Sequence, residues 1–228
     1  MSYATLLKWM PGWLRRHVLH FDYVADDAVA AFARRLPAGA RVLDAGAGQS
    51  RHRAAFGAQR YVALDLAIGD ADWDYGGLDV LGDLTRLPFR DGACEAALNI
   101  VTLEHVREPL AVVCELARVL QPGGALLMVV PHEWEEHQTP HDYFRFTRYG
   151  LTYLLETAGF RIVRLEPVGG FFRLLARRLL NALQFFPWWL LPLAALVFVP
   201  LGLLMPLLDG LDTRRNFTLG FVCEAVRR

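Results

Sequence analysis

Lysine is nearly absent. Lys8 is the only lysine among 24 basic residues, and 24 acidic residues cancel them. A nucleic-acid binder carries net basic, clustered charge, so neutrality argues against that class. Cysteine is scarce too. Cys94, Cys114 and Cys223 form no C-x-x-C pair, which leaves no zinc or dithiol motif and reads as reduced thiols in a cytosolic protein. The first twenty residues, MSYATLLKWMPGWLRRHVLH, lack a continuous apolar core before a small-residue cleavage site and do not read as a secretory signal. No internal repeat occurs. Charge is missing altogether from 185 to 208, FFPWWLLPLAALVFVPLGLLMPLL.

What is present before that run has the rhythm of an α/β protein. Residues 13–36 carry Leu14, Val18, Phe21, Val24, Val29, Phe32 and Leu36 near helical spacing, ended by Pro37 and Gly39. Short apolar runs follow: RVLDA (41–45), RYVALDL (60–66), LDVLGD (78–83), CEAALNIV (94–101), ALLMVVP (125–131) and RIVRLEP (161–167). Helical stretches separate them, among them REPLAVVCELARVL before QPGG, and RYGLTYLLETAGF. Alternation of strands and helices implies parallel pairing in a layered domain.

The sharpest local signal is VLDAGAGQS (42–50), a strand ending at Asp44 and followed by a turn with Gly46 and Gly48. Glycine is needed where backbone approaches a ligand closely or takes positive φ. Asp65 ends the next strand, 21 positions after Asp44, where a βαβ unit presents a carboxylate to ribose hydroxyls. The third glycine of G-x-G-x-x-G is absent. Asp44, two residues before the first glycine, would repel a diphosphate and suits a ligand with a cationic amino-acid end.

VLDAGAG, YVALD, GDLTRLPF, CEAALNIVTLEHV, ARVLQPGGALLMVVP and LLETAGF stand in one order. In that order the chain resembles class I S-adenosylmethionine-dependent methyltransferases of the type 11 subgroup, over 40–168 and again over 217–226. The resemblance implies a Rossmann-like, doubly wound, mostly parallel seven-stranded sheet with an antiparallel last strand. It implies S-adenosylmethionine as cofactor. Asp44, Ala45, Gly46 and Gly48 would line its methionine portion, Asp65 its ribose, and Asp83 with Leu84 its adenine. Asn99 would sit near the amino group or the transferred methyl. Ser50 stands where many relatives have a third glycine. Read alone, Asp65 could be a helix cap, Asp83 a turn cap and Asn99 a plain strand-end polar residue.

The loop PHEWEEHQTPHDYFRFTRYGL (131–151) follows the fifth strand, on the side where open α/β sheets bind ligands. It resembles the subgroup's substrate side. Its histidines and carboxylates are residue types that zinc uses, but His132, His137 and His141, spaced five and four apart, match no helix motif, and no metal is assigned. His141 and His137 are candidate general bases, with His105 a weaker one. Tyr143, Arg145 and Arg148 are candidate substrate contacts, the arginines for an anionic group. A purely structural lid is the competing reading of the same loop.

FTLGFVCEAV (217–226) reads as the seventh strand. About fifty residues separate it from the sixth, where a minimal relative has a short hairpin. FFRLLARRLLNALQ (171–184) is amphipathic at helical period, as in a helix lying in a membrane interface or in an ordinary core-facing helix. A straight helix over the uncharged run would reach about 36 Å, enough to span. A single crossing would nonetheless strand the seventh strand across the membrane from its sheet. The prolines favour a broken hairpin of short helices, Trp188 and Trp189 suit an interface, and Lys8, Trp9, Trp13, Arg15 and Arg16 would add a second contact.

The expected segments are 1–40 helical, 41–170 cofactor-binding core, 171–216 apolar insert and 217–228 last strand. The expected function is methyl transfer to a lipophilic or membrane-presented acceptor, by a cytoplasmic protein peripheral on the inner face of the cell membrane. The partner of 171–212 is then a membrane surface or a second copy. The alternatives are a methyltransferase for a soluble small molecule or saccharide that dimerises through the insert, and a non-catalytic membrane-associated module.

Overall fold

The computed structural model describes residues 12–69 and 72–228; Lys8 and Trp9 lie outside the described residues. The helical expectation for 13–36 resolves into two helices, α1 (Gly12–Val18) and α2 (His20–Arg35). The strands are β1 (Arg41–Ala45), β2 (Arg60–Asp65), β3 (Val80–Leu81), β4 (Cys94–Ile100), β5 (Leu120–Pro131), β6 (Phe160–Pro167) and β7 (Gly220–Arg227). Helix α3 (Pro109–Val119) precedes β5, and α4 (Arg148–Thr157) precedes β6. Helices α5 (Phe171–Ala182) and α6 (Leu191–Leu204) lie between β6 and β7.

The strands form one sheet in the order β3-β2-β1-β4-β5-β7-β6. Pairing is parallel from β3 to β5 and antiparallel between β5 and β7. This is the Rossmann-like arrangement that the resemblance implies. Leu43, Leu98, Leu126, Leu127 and Met128 are fully buried, because central strands covered on both faces read as near-continuous apolar runs. One crossover is slighter than expected. Between β1 and β2 the chain makes only a 3-10 turn, Arg53–Phe56, where the alternation predicts a helix. Strand order reverses between β1 and β4, which opens a crevice at their carboxyl ends.

The chain divides into two compact units. One comprises Ala25–Glu166 and Gly220–Arg228, and holds the sheet. The other comprises residues up to Val24 and Pro167–Leu219. In this second unit α5 and α6 pack together, with Ala176 and Ala194 buried.

The prolines do not fragment the run as expected. Helix α6 passes through Pro200, and a 3-10 turn, Met205–Leu211, continues it. Pro192 lies in the first turn of α6, where a missing N–H costs no hydrogen bond. The break falls at one proline alone, at 186–190 around Pro187. Among the described residues, Leu191–Leu211 is the one helical stretch long and apolar enough to cross a membrane. Its far end folds back onto the start of α5. Asp209 Oδ1 accepts from Gly170 N at 3.0 Å and Arg173 N at 3.1 Å, and Asp212 Oδ2 accepts from Phe171 N at 2.8 Å. These carboxylates cap the otherwise unpaired N–H groups of α5 and complement its dipole. The two ends of the segment also meet: Leu219 N and Thr218 Oγ1 both donate to Val168 O.

Candidate active site

The turn after β1 is built from backbone. Gly46 N and Ala47 N both donate to Leu64 O, at 2.8 and 3.0 Å. Gly46 takes φ +87°, and a Cβ there would lie 2.1 Å from Thr102 Cγ2. Only glycine meets both conditions. Ser50 adopts φ +55°, the left-handed conformation that a third glycine would take without strain, and its Oγ donates to Gly77 O at 3.0 Å. Across the crevice, Asn99 Nδ2 donates to Ala45 O at 2.9 Å and Thr102 Oγ1 to Gly46 O at 3.1 Å. The carboxyl ends of β1 and β4 are stitched together in this way.

Asp65 receives Gly48 N on one carboxylate oxygen at 2.9 Å and Ala67 N on the other at 2.8 Å. Each oxygen keeps a further lone pair for a ligand hydroxyl. Asp83 is exposed and holds a turn, accepting from both Thr85 N and Thr85 Oγ1 at 2.8 Å; Leu84 beside it is buried. Asp44 is 1% exposed. Tyr61 OH donates to its Oδ2, while Oδ1 has no hydrogen-bond partner. Burial pushes the Asp44 carboxyl up to about 6, against the Tyr61 hydrogen bond. Asn99 Oδ1 is likewise buried and unpaired. Two orphaned acceptors beside a backbone cradle fit a ligand with a cationic amino-acid end. Sequence reading missed Trp73, whose ring lies 2.9 Å from where a Cβ on Gly48 would sit; no local pattern marks it.

A second cluster lies on the loops after β4 and β5. Glu104 O accepts from Tyr143 N at 2.9 Å and Phe144 N at 3.2 Å, which joins the two loops. The Glu104 side chain is fully buried, and neither carboxylate oxygen has a hydrogen-bond partner. Burial pushes its carboxyl up to about 8. His105 Nε2 lies 3.7 Å and His137 Nε2 3.8 Å from Glu104 Oε1. His105 Nδ1 donates to His141 O at 2.6 Å. Sequence reading placed His137 among the histidines of its own loop; the fold brings it to Glu104 and His105.

The remaining candidates separate by what they touch. His141 Nδ1 is 3.2 Å from Tyr143 OH, which accepts from Arg107 Nε at 3.1 Å. His132 Nδ1 donates to Phe146 O at 3.0 Å. Arg145 commits all five of its N–H groups: two to Asp142 at 2.6 and 2.7 Å, and the rest to the carbonyls of Trp134, Glu135 and Phe144. That guanidinium drives the Asp142 carboxyl down to about 2. Arg145 therefore holds the loop together with the donors it would need for a substrate anion. Arg148, half-buried, opens α4.

Residues 43–128 match the family model described as "Methyltransferase domain". A probable S-adenosylmethionine-dependent methyltransferase of Mycolicibacterium smegmatis is 30% identical over 162 residues, 66% of this chain and 60% of that protein. A demethylmenaquinone methyltransferase of Renibacterium salmoninarum is 36% identical over 100 residues, 40% of each chain. This chain thus spans less than two thirds of the length of either relative. Among solved structures, a Burkholderia thailandensis 1,6-didemethyltoxoflavin-N1-methyltransferase with bound S-adenosylhomocysteine superposes with TM-score 0.57 at 19% identity, covering 98% of this chain and 88% of its own. The cyclase SpnF gives TM-score 0.57 at 21% identity, covering 89% and 80%.

Proposed function

Because this chain belongs to the class I S-adenosylmethionine-dependent methyltransferases, we propose that it transfers the cofactor's methyl group to a lipophilic or membrane-presented acceptor. S-adenosylmethionine supplies a methyl group activated on a sulfonium. In this reading Asp65 binds the ribose hydroxyls, Asp83 and Leu84 flank the adenine, and the turn through Ala45, Gly46 and Gly48 cradles the methionine end. Asp44 and Asn99, with unpaired buried oxygens, receive its ammonium. For a hydroxyl acceptor, an O–C bond forms as the S–C bond breaks, and the proton leaves to a base. His141 fits that role: among the described residues its Nε2 has no hydrogen-bond partner, while Nδ1 is oriented by Tyr143. Positioning contributes most of the rate, and the base about 10²–10⁴-fold.

The observation that carries the acceptor class is the exposed apolar hairpin. At its tip Trp188 is 85% and Trp189 66% exposed, and Leu193, Leu196, Leu207 and Leu211 are exposed along α6 and the turn after it. Helix α5 is about 18 Å long, too short for a bilayer core of about 30 Å. With both ends of the segment held together, the hairpin suits insertion from one face. The Renibacterium relative, named for a quinone acceptor, favours the same class. The same leucines would equally serve a second copy of the chain, the basis of the soluble-acceptor reading.

The test is to incubate the purified chain and methyl-labelled S-adenosylmethionine with a membrane-lipid extract and, separately, a soluble extract. Label in the organic phase is expected. Label confined to aqueous products would overturn the lipophilic acceptor. Absence of cofactor binding by calorimetry would overturn the enzyme reading altogether.

A further inference from the structure

Glu104, His105 and His137 present one another with acceptors only. The Nδ1 atoms of both rings face acceptors: His105 Nδ1 meets His141 O at 2.6 Å, and His137 Nδ1 meets Glu135 O at 3.1 Å and Asp142 Oδ2 at 3.4 Å. Each Nδ1 therefore carries the proton, and each Nε2 is left with a bare lone pair. Those two Nε2 atoms and both carboxylate oxygens of Glu104 are buried without a hydrogen-bond donor. A buried polar atom left unpaired is destabilising, and a charged one more so. One proton shared between Glu104 and a histidine satisfies one contact and leaves the other ring nitrogen bare. A single multivalent cation satisfies all of them.

We propose that this cluster is a metal site for one divalent ion of the zinc type, bound by Nε2 of His105, Nε2 of His137 and the carboxylate of Glu104. One ligand atom from each residue lies within 4.8 Å of the others, and each Nε2 is within 3.8 Å of Glu104 Oε1. Zinc bonds of about 2.0–2.1 Å set ligand-to-ligand edges of about 3.3 Å in a tetrahedron, so the two histidine-to-carboxylate edges need close by about 0.5 Å, and an edge at the outer limit of the cluster by about 1.5 Å. Two imidazoles and one carboxylate suit zinc, cobalt or iron(II) better than calcium or magnesium, which prefer oxygen alone. The outer contacts are those a metal-bound histidine uses, with each distal N–H fixed by a carbonyl or carboxylate. Asp142 is not a ligand, because Arg145 engages both its oxygens; it orients His137 instead, also accepting from His137 N at 2.9 Å.

Three protein ligands leave a fourth position open. Two neutral histidines, one carboxylate and a dication carry net charge +1, which an acceptor's ionised oxygen would cancel. The site stands whether or not the chain transfers methyl groups, and its test is metal uptake. The full-length chain, stripped by chelation and dialysed, is titrated with Co²⁺ and then Zn²⁺. One equivalent of Co²⁺ should produce a visible d–d band that one equivalent of Zn²⁺ abolishes. Glu104→Gln and His137→Ala should each weaken Co²⁺ binding at least 100-fold, whereas His132→Ala should leave it unchanged. A featureless Co²⁺ titration without zinc uptake by elemental analysis would overturn the proposal. Uptake by Glu104→Gln and His137→Ala as tight as in the unmodified chain would overturn it equally. Should Glu104→Gln fail to fold, His137→Ala decides alone, since the His137 side chain is 25% exposed on a loop.

Discussion

The side chain of Thr102 fills the space that a Cβ on Gly46 would need, with Cγ2 2.1 Å from that position. Two loops 56 residues apart in sequence are thereby pressed together, and Thr102 Oγ1 fastens them by donating to Gly46 O. Gly46→Ala should cost both the clash and the positive φ, about 2–4 kcal/mol of stability, with loss of measurable cofactor binding. Thr102→Ala in the same chain should recover part of the stability and not the part due to φ. Urea denaturation of both variants checks this.

Asp44 should make cofactor binding depend on pH. Its carboxyl titrates at about 6 in the folded protein, against 3.8 as the ordinary value. The folded state thus holds its proton more tightly than the unfolded state. Stability from this group is greatest below pH 4, falls as pH rises toward 6, and is level above that. The ammonium of the cofactor favours the ionised form, so affinity should drop about tenfold per pH unit below 6. Asp44→Asn should flatten both profiles. Calorimetric titration and urea denaturation at pH 5 and pH 7 measure them, and a wild-type affinity unchanged between these pH values would refute the assignment.

Asp65 holds the glycine turn as well as its proposed ligand. Asp65→Asn keeps one acceptor and should weaken S-adenosylmethionine binding about tenfold. Asp65→Ala also frees Gly48 N and Ala67 N and should cost about 100-fold or more, at about 1.5–3 kcal/mol for each hydrogen bond to a charged group. Equal affinities in the two variants would argue that the carboxylate does not meet the ribose.

Arg145 should behave as a positioning residue. Arg145→Ala should raise amide exchange across 132–146 at least tenfold. Arg145→Lys should not rescue it, because an ammonium cannot reproduce a planar fork that engages one carboxylate and three carbonyls. If Arg145→Ala leaves exchange unchanged and only raises KM for an anionic acceptor, Arg145 is a substrate contact after all.

If the acceptor is membrane-presented as proposed, the hairpin tip should govern membrane binding. Replacing Trp188 and Trp189 by Ser should lower partition onto anionic lipid vesicles at least tenfold, leaving circular dichroism unchanged, since both indoles are exposed. Co-sedimentation of the pair variant equal to that of the parent chain would remove the tip from the mechanism.

Local chemistry made much of this molecule legible. RVLDA is a strand because it is a short apolar run before glycine, and β1 begins and ends where that pattern does. The turn at Gly46, the helix ending near Gly159 and the alternating FVCEAV follow from backbone freedom and side-chain period, which act between near neighbours. The order of motifs then implied a sheet that the structure contains. Contacts between distant segments were not legible. Glu104 and His105 reach His137 only because β4 and β5 are adjacent, and no spacing within 131–151 could report that. Which proline breaks the insert was not legible either: Pro187 does, while α6, packed on α5, continues through Pro200. Where the far end of that run docks was decided by Asp209 and Asp212 capping a helix about 40 residues earlier. Sequence alone determined which segments are strands, turns and apolar surface, since those depend on each residue's own preferences. The tertiary structure alone decided which buried charges face one another, because that depends on where the chain returns.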